Sequence, residues 1–232
     1  MSRFALRSNQ RELIDEEGIG FGEWAVCLKE LNTINTFLGG HAITVDGVRQ
    51  LMQVKASPTI IAEIGCGGGD NLKAISRAFG STAIKFIGID INKACIAFAE
   101  KNCMSIPDKE FIESDYRLVD FGPEKPDIIF CSLFCHHFED AELVQMMIWM
   151  KNNSRAGFFI NDLQRHPLAY HSISILTQLF SKSYLVKNDA PISVRRGFKK
   201  SDWDTIMRRA GITKYTVKWR WAFRYLVLVK ND

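Results

Sequence analysis

Apolar positions near the start of the chain recur every three or four residues, at Trp24, Cys27, Leu28, Leu31, Ile34 and Leu38. That spacing predicts an amphipathic helix stopped by Gly39-Gly40. A second short helix is expected from Thr44 toward Lys55, with Pro58 closing the region. From Thr59 the pattern changes to short apolar runs separated by helical periods. TIIAEIG reads as a strand and DNLKAISRAFG as a helix, and KFIGID with NKACIAFAEKN repeats the pair. KEFIESD and DIIFCSLF are a third and a fourth strand, DAELVQMMIWMKNN is a helix capped by Asp140, and GFFIND is a fifth strand. Apolar strands alternating with helices predict an α/β fold, doubly wound, with a parallel sheet covered on both faces.

Beyond the fifth strand the rhythm changes. His166-Pro167 opens a helix that runs to about Phe180, proline being suited to a first helical position. SYLVKNDAPISVRRGF has no clear period and reads as a loop-rich, lid-like insertion around residues 181–199. Ser201, with Asp204 as capping-box partner and Gly211 as terminator, predicts another helix. In KYTVKWRWAFRYLVLVK, Tyr215, Val217, Trp219, Trp221, Phe223 and Tyr225 alternate with polar or small residues. Period two means strand, here a closing antiparallel pair with Trp219, Trp221 and Phe223 turned to the core. The organisation expected is an N-terminal helical cap, residues 1–57, followed by one α/β domain, residues 58–232.

Composition narrows the class. A chain of 232 residues with 47% hydrophobic and 24% charged residues builds a substantial core and has an ordinary surface. No run approaches a membrane span and no signal-peptide pattern opens the chain, so a cytoplasmic protein is expected. Six cysteines without CxxC or disulfide-framework spacing read as reduced, buried thiols. Cys131, Cys135, His136 and His137 lack a second pair of ligands at zinc spacing, so no metal is expected. Net charge is +4, but Val194 to Arg224 holds ten Lys/Arg against two Asp/Glu. A basic C-terminal third suits nucleic acid or an anionic substrate, and equally the solvated face of a terminal sheet and helix.

The chemistry begins at EIGCGGGD, Glu63 to Asp70. Glycines in this density cost backbone entropy and imply close approach of something to the chain. A Walker loop is excluded because no Lys-Ser/Thr follows, and the third glycine of GxGxxG is replaced by Asp70. Glu63, just ahead of the loop, disfavours a pyrophosphate and suits a ligand bringing an ammonium group. Asp90 ends the second strand, where a carboxylate accepts from a ribose diol. Asp115 follows the third strand at the same edge, within reach of an adenine amino group. The alternative for either aspartate alone is a helix cap or turn former.

EIGCGGG, FIGID, FIESD, DIIFCSLFCHHF and GFFIND, in that order, resemble the class I S-adenosylmethionine-dependent methyltransferases over residues 59–230. The resemblance implies a Rossmann-like, seven-stranded, mostly parallel sheet with an antiparallel last strand. It implies that Gly65, Cys66, Gly67 and Gly69 meet the cofactor backbone-first and that Glu63 lies near its methionine amino group. Asp90, with Ile91, is then expected at the ribose and Asp115, with Tyr116, at the adenine. The Cys131-Ser132 backbone is expected beside the methionine part. The tail NDLQRHPLAYHSI resembles ubiquinone/menaquinone-type small-molecule methyltransferases.

Methyl transfer from a sulfonium is an in-line displacement, so alignment is the first task and a base is needed only where the acceptor loses a proton. The stretch SLFCHHF stands where enzymes acting on base nitrogens or glutamine carry Asn/Asp-Pro-Pro-Tyr. His136 and His137 are therefore the candidate bases for a phenolic proton. His166, His171, Arg195 and Arg196 are candidates for binding the acceptor. The expected activity is methylation of a small molecule, a phenolic, quinone-precursor or polyketide-like acceptor. The other reading is an RNA or protein methyltransferase using the basic C-terminal third; core-facing tryptophans argue against it.

Overall fold

Strands that are apolar on both faces need cover on both faces, and the computed structural model supplies it; residues 3–16, 18–53 and 58–231 are described. The strands are β1 (Thr59–Ile64), β2 (Ile84–Asp90), β3 (Lys109–Glu113), β4 (Ile128–Ser132), β5 (Gly157–Leu163), β6 (Thr216–Arg220) and β7 (Arg224–Lys230). They form one sheet in the order β3-β2-β1-β4-β5-β7-β6, parallel except where β7 runs against both β5 and β6. The seven-stranded, mostly parallel sheet with an antiparallel end is as expected.

The helices are α1 (Phe21–Phe37), α2 (Gly40–Leu51), α3 (Asp70–Phe79), α4 (Lys93–Asn102), α5 (Asp140–Asn153), α6 (Pro167–Phe180), α7 (Tyr184–Arg196) and α8 (Lys200–Arg209). Ile60, Ala62 and Ile64 of β1 join Met146, Met147 and Met150 of α5 and Trp203 and Met207 of α8 in one buried cluster. Ile61, one position out of phase, joins Val48 and Leu51 of α2 and Leu72 and Ile75 of α3 in another. The period of two sends alternate side chains of one strand into two cores. The first connection goes from β1 outward to β2, and a later one returns to place β4 on the other side of β1. That reversal opens a crevice at the carboxyl ends of β1 and β4.

Five local expectations need correction. The second helix starts at Gly40, not Thr44: Gly39, at φ +72°, makes the corner alone. Its expected end at Lys55 lies outside the described residues. Residues 184–196, expected as loop, form α7, capped by Ser183 Oγ accepting from Val186 N–H. Pro191 inside the helix hid its period, while Leu185, Val186, Ile192 and Val194 supply a buried face. At α8 it is Asp202 that accepts from Lys199 N–H at 2.7 Å, whereas Asp204 takes the Tyr215 hydroxyl. At α5 the chain enters through Glu139, and Asp140 is already helical.

The fifth difference matters for function. Trp221, Ala222 and Phe223 form the turn between β6 and β7, with Ala222 at φ +59° and Phe223 at φ +55°. An alternation read across a turn does not hold its phase, and β6 is the sheet's edge. Trp219 and Trp221 are 54% and 62% exposed instead of core.

No helix among the described residues is long and apolar enough to cross a membrane. All six cysteines are unpaired and buried. Gly47 of α2 tests the packing: a β-carbon there would stand 2.6 Å from the Phe159 ring. Alanine gains about 1 kcal/mol in helix propensity, but forcing apart a filled core costs about 1–3 kcal/mol. Gly47→Ala is therefore expected to lower the urea midpoint; an unchanged or higher midpoint contradicts the close contact.

Candidate active site

The loop after β1 is shaped by glycines in backbone conformations other residues avoid. Gly65 has φ +65° and Gly67 φ +50°. A β-carbon on Gly65 would lie 2.2 Å from the Phe134 ring. Phe134 follows Leu133, a non-glycine residue at φ +53° held by its N–H to Asn161 O. The loops after β1 and β4 thus touch, and Gly65 is required by space as well as by φ.

Asp90, at the tip of β2, accepts from Gly67 N–H and Asn92 N–H, both at 2.9 Å. Those bonds use two of the roughly four lone-pair sites of a carboxylate, leaving others for a diol. Burial raises its pKa and these two bonds offset only part of the rise. Ile91 beside it is 73% exposed, an apolar side chain at the rim.

Glu63 is 1% exposed and its Oε1 accepts from Asn71 Nδ2 at 2.7 Å. Oε2 has no partner. Burial drives its pKa well above the ordinary value, the Asn71 bond and the charges of Asp70 and Asp90 being lesser influences. The polar chain continues from Asn71 to His41 Nδ1 at 2.8 Å and from His41 Nε2 to Asn32 Oδ1 at 2.9 Å. An unmet buried carboxylate oxygen beside a bare glycine loop is what an ammonium-bearing adenosyl ligand requires. The residues fit S-adenosylmethionine.

These groups line one cavity of about 860 Å³, near the top of the ~300–1,000 Å³ range of small-molecule sites. Glu63, Gly65, Cys66, Gly67, Asp90, Ile91, Ser132, His136 and His137 are all on its wall. Other residues singled out in the sequence lie elsewhere. Gly69, at φ +72°, begins α3, where a β-carbon would meet Cys103 Sγ at 2.7 Å. Asp115 caps the turn Tyr116–Leu118 and pairs with Arg117, which pulls its pKa down. Tyr116 is buried edge-on against Phe134, Phe138 and Trp149, and Cys131 is fully buried 3.4 Å from Cys135 Sγ.

The candidates for acceptor binding are likewise engaged or displaced. His166 Nδ1 accepts from Leu168 N–H at the start of α6 and its ring stacks on Phe223. His171 is exposed and edge-on to Tyr170. Arg195 faces a separate, shallower cleft and donates to Gln10 Oε1. Arg196 is buried, with its guanidinium donating to the carbonyls of His136, Gln10 and His137.

The two histidines differ. His136 is 3% exposed; its Nδ1 is 2.8 Å from Asp162 Oδ1 and its backbone N–H donates to Asp162 Oδ2. Asp162, itself fully buried, also accepts from Leu163 N–H. Burial would raise its pKa, but the His136 charge and these hydrogen bonds prevail and lower it. Beside an ionised Asp162, His136 Nδ1 carries a proton and donates it to Oδ1. Nε2 is 3.7 Å from Glu12 Oε1, too long for a direct hydrogen bond. His137 Nδ1 lies 3.0 Å from Asp15 Oδ1. Burial opposes its protonation, but the Asp15 hydrogen bond and the Glu12 and Asp15 charges outweigh it, so its pKa is raised.

Glu12 and Asp15 reach the site because the N-terminal segment lies across it. Arg7 donates to the carbonyls of Arg196 and Phe138, Arg165 to Phe4 O, and Asp189 of α7 accepts from Leu13 and Ile14 N–H. Glu12, His136 and His137 bring potential metal-ligand atoms within 4.8 Å of one another. Arg196 Nε, 3.8 Å from Glu12 Oε1, already supplies positive charge there. Glu12, Asp15, His41, Asn71 and Arg224 all line the cavity and carry no motif, so nothing in their spacing identified them.

Residues 61–157 match a family model described as a methyltransferase domain. Among solved structures, the plantazolicin methyltransferase BpumL in complex with SAH aligns with 91% of this chain and 94% of its own, at TM-score 0.67 and 16% identity. A SAM-dependent methyltransferase from Aquifex aeolicus aligns over 92% and 99%, at TM-score 0.63 and 13% identity. Human N-acetylserotonin methyltransferase in complex with SAM aligns over 91% of this chain and 56% of its own, at TM-score 0.64 and 17% identity. At these identities the likeness is one of fold. A comparison with curated proteins gives no match by sequence.

Glu63→Gln keeps the Asn71 contact and removes the buried charge. A raised folded-state pKa costs stability above the unfolded value and costs nothing below it. The ligand-free variant is therefore expected to melt higher than the parent at neutral pH and equally at pH below 4.5. Its affinity for S-adenosylhomocysteine, by calorimetry, is expected to fall about 10- to 100-fold; unchanged affinity removes Glu63 from the site. Residues 61–157, from β1 to the start of β5, thus form a methyltransferase domain, and the chain has the fold of the S-adenosylmethionine-dependent methyltransferases.

Proposed function

We propose that the acceptor is a small molecule carrying an acidic O–H, of the phenolic, quinone-precursor or polyketide-like class, and that His136 removes its proton. The observation carrying this reading is the buried Asp162–His136 pair at the cavity wall, 2.8 Å apart. S-adenosylmethionine supplies the electrophilic methyl on its sulfonium. Glu63 meets the ligand's ammonium, Asp90 its ribose hydroxyls, and the Gly65–Gly67 loop lets it approach the backbone. Asp162 holds the imidazole in the tautomer that presents a lone pair at Nε2. The N-terminal segment and α7 exclude water, so the imidazolium formed is stabilised by Asp162 and Glu12 rather than by solvent.

An apolar wall suits a flat acceptor. Ile173 and Leu176 of α6 line the cavity with Trp219 and Trp221 at the hairpin. The plantazolicin methyltransferase holds azolic desmethylPZN analogs together with SAH, and an extended aromatic acceptor would use this wall in the same general manner. The six buried, unpaired thiols support a reducing compartment.

Exposed Trp219 and Trp221, with Lys218 and Arg220 between and beside them, favour RNA or a peptide as the second reading. Against it, Arg220 is paired with Asp46 and Trp219 Nε1 donates to Gln164 Oε1 at 2.9 Å. The basic strip is partly neutralised and its aromatics belong to the cavity.

A screen with methyl-labelled cofactor against phenols, hydroxylated quinone precursors and bulk RNA is expected to label the first two classes. Labelled RNA, with binding that weakens steeply in salt, would replace this reading with the second. His136→Asn is expected to lower kcat about 10²- to 10⁴-fold with S-adenosylhomocysteine affinity unchanged. Asp162→Asn is expected to lower kcat in the same direction, since an amide no longer dictates the Nδ1–H tautomer. If both variants turn over at the parent rate with the parent pH profile, His136 is not the base.

A further inference from the structure

Arg224 opens β7 and is 2% exposed, yet among the described residues it has no acidic hydrogen-bond partner. Nη2 donates to Asn35 Oδ1 at 2.7 Å, while Nε and Nη1 have no hydrogen-bond partner. Asp162 acts on it only through space, its oxygens being occupied by His136 and Leu163 N–H. Burial lowers the guanidinium to about 10, so it remains charged at neutral pH. A buried cation without a counter-ion is among the least favourable arrangements in a protein. Arg224 is among the residues lining the large cavity.

A second source of positive potential stands beside it. A β-carbon on Gly40 would lie 3.2 Å from Arg224 Cζ, so α2 begins against the guanidinium and glycine keeps the space open. The first intrahelical bond of α2 runs from Ile43 N–H to Gly39 O, and the N–H groups before it point out of the helix start. Leu38 and His41, flanking this start, line the same cavity. A helix start of 12 residues and an unmet guanidinium converge on one region.

We propose that Arg224, together with the start of α2, forms a carboxylate-binding site within the cavity. The proposal rests on the reading of this cavity as the place where cofactor and acceptor meet. The carboxylate comes either from an acidic acceptor or from the methionine end of the cofactor, and both satisfy the same unmet donors through charge-assisted hydrogen bonds. Arg195 and Arg196, the arginines the sequence pointed to, are occupied by the N-terminal segment and the histidine backbone.

Calorimetry on the full chain separates the sources. S-adenosylhomocysteine carries the carboxylate and 5′-methylthioadenosine does not. If the cofactor supplies it, Arg224→Gln weakens the first at least about tenfold and leaves the second unchanged. If the acceptor supplies it, both adenosyl ligands bind as before. The probe 4-hydroxybenzoate then binds the S-adenosylhomocysteine complex more tightly than 4-hydroxybenzamide, a preference Arg224→Gln abolishes. Should Arg224→Gln fail to fold, Gly40→Ala, which crowds the guanidinium, is read by the same two ratios. The proposal is overturned if neither ratio changes in any folded variant. A parent protein that binds no adenosyl ligand at all, methylthioadenosine included, overturns the reading of the cavity instead.

Discussion

The carboxylate of Glu63 sits at the end of the central strand, out of water, with one oxygen bonded to Asn71 and the other unmet. Much of the site is arranged around that unfavourable group. It can be tolerated because β1 is anchored on both sides and both faces, by β2 and β4 and by two apolar clusters. A ligand that brings an ammonium to Oε2 converts an energetic cost of the empty fold into selectivity for that ligand. The glycine loop lets the same ligand lie against the backbone, and Asp90 ties the loop to the neighbouring strand through Gly67. Binding and loop geometry are one structure.

Around this centre the chain closes its own cavity. Arg7, Arg165 and Arg196 are interior fasteners: each donates to backbone carbonyls and together they tie the N-terminal segment to α7 and to the turn carrying the histidines. The segment then brings Glu12 and Asp15 to His136 and His137. The imidazoles are thereby flanked by carboxylates from two parts of the chain, the N-terminal segment and β5. The Asp15–His137 pair adds stability that is present when the imidazole is protonated and lost as pH rises through its raised pKa.

Much of the architecture was legible because it rests on short-range pattern. Apolar strands and helical periods gave the strand count through the fifth strand, and the acidic residue, Gly65, Gly67 and the strand-tip aspartate do line one cavity. Errors fell where local pattern and tertiary context diverge. Pro191 obscured the period of α7, whose helix is held by burial of Leu185, Val186 and Ile192. The hairpin alternation was carried through a turn and misplaced Trp219 and Trp221. Asp115, isolated in the sequence as an adenine partner, has a neighbour at Arg117 that folds back onto it.

What the sequence determined by itself was the set of groups whose placement follows from the residues next to them: the glycine loop, Glu63 before it, Asp90 at a strand tip, and a pair of histidines after the fourth strand. What only the tertiary structure decided was which distant side chains meet at the cavity or directly behind its wall. Asp162 and His136 are 26 positions apart, Glu12 and Ser193 are 181 apart, and Arg224 and Asn35 are 189 apart. No period or spacing encodes such pairs. They arise from the crossing of β4 to the far side of β1 and the return of the last strand beside β5, and a partnerless buried charge such as Arg224 becomes visible only once the space around it is known.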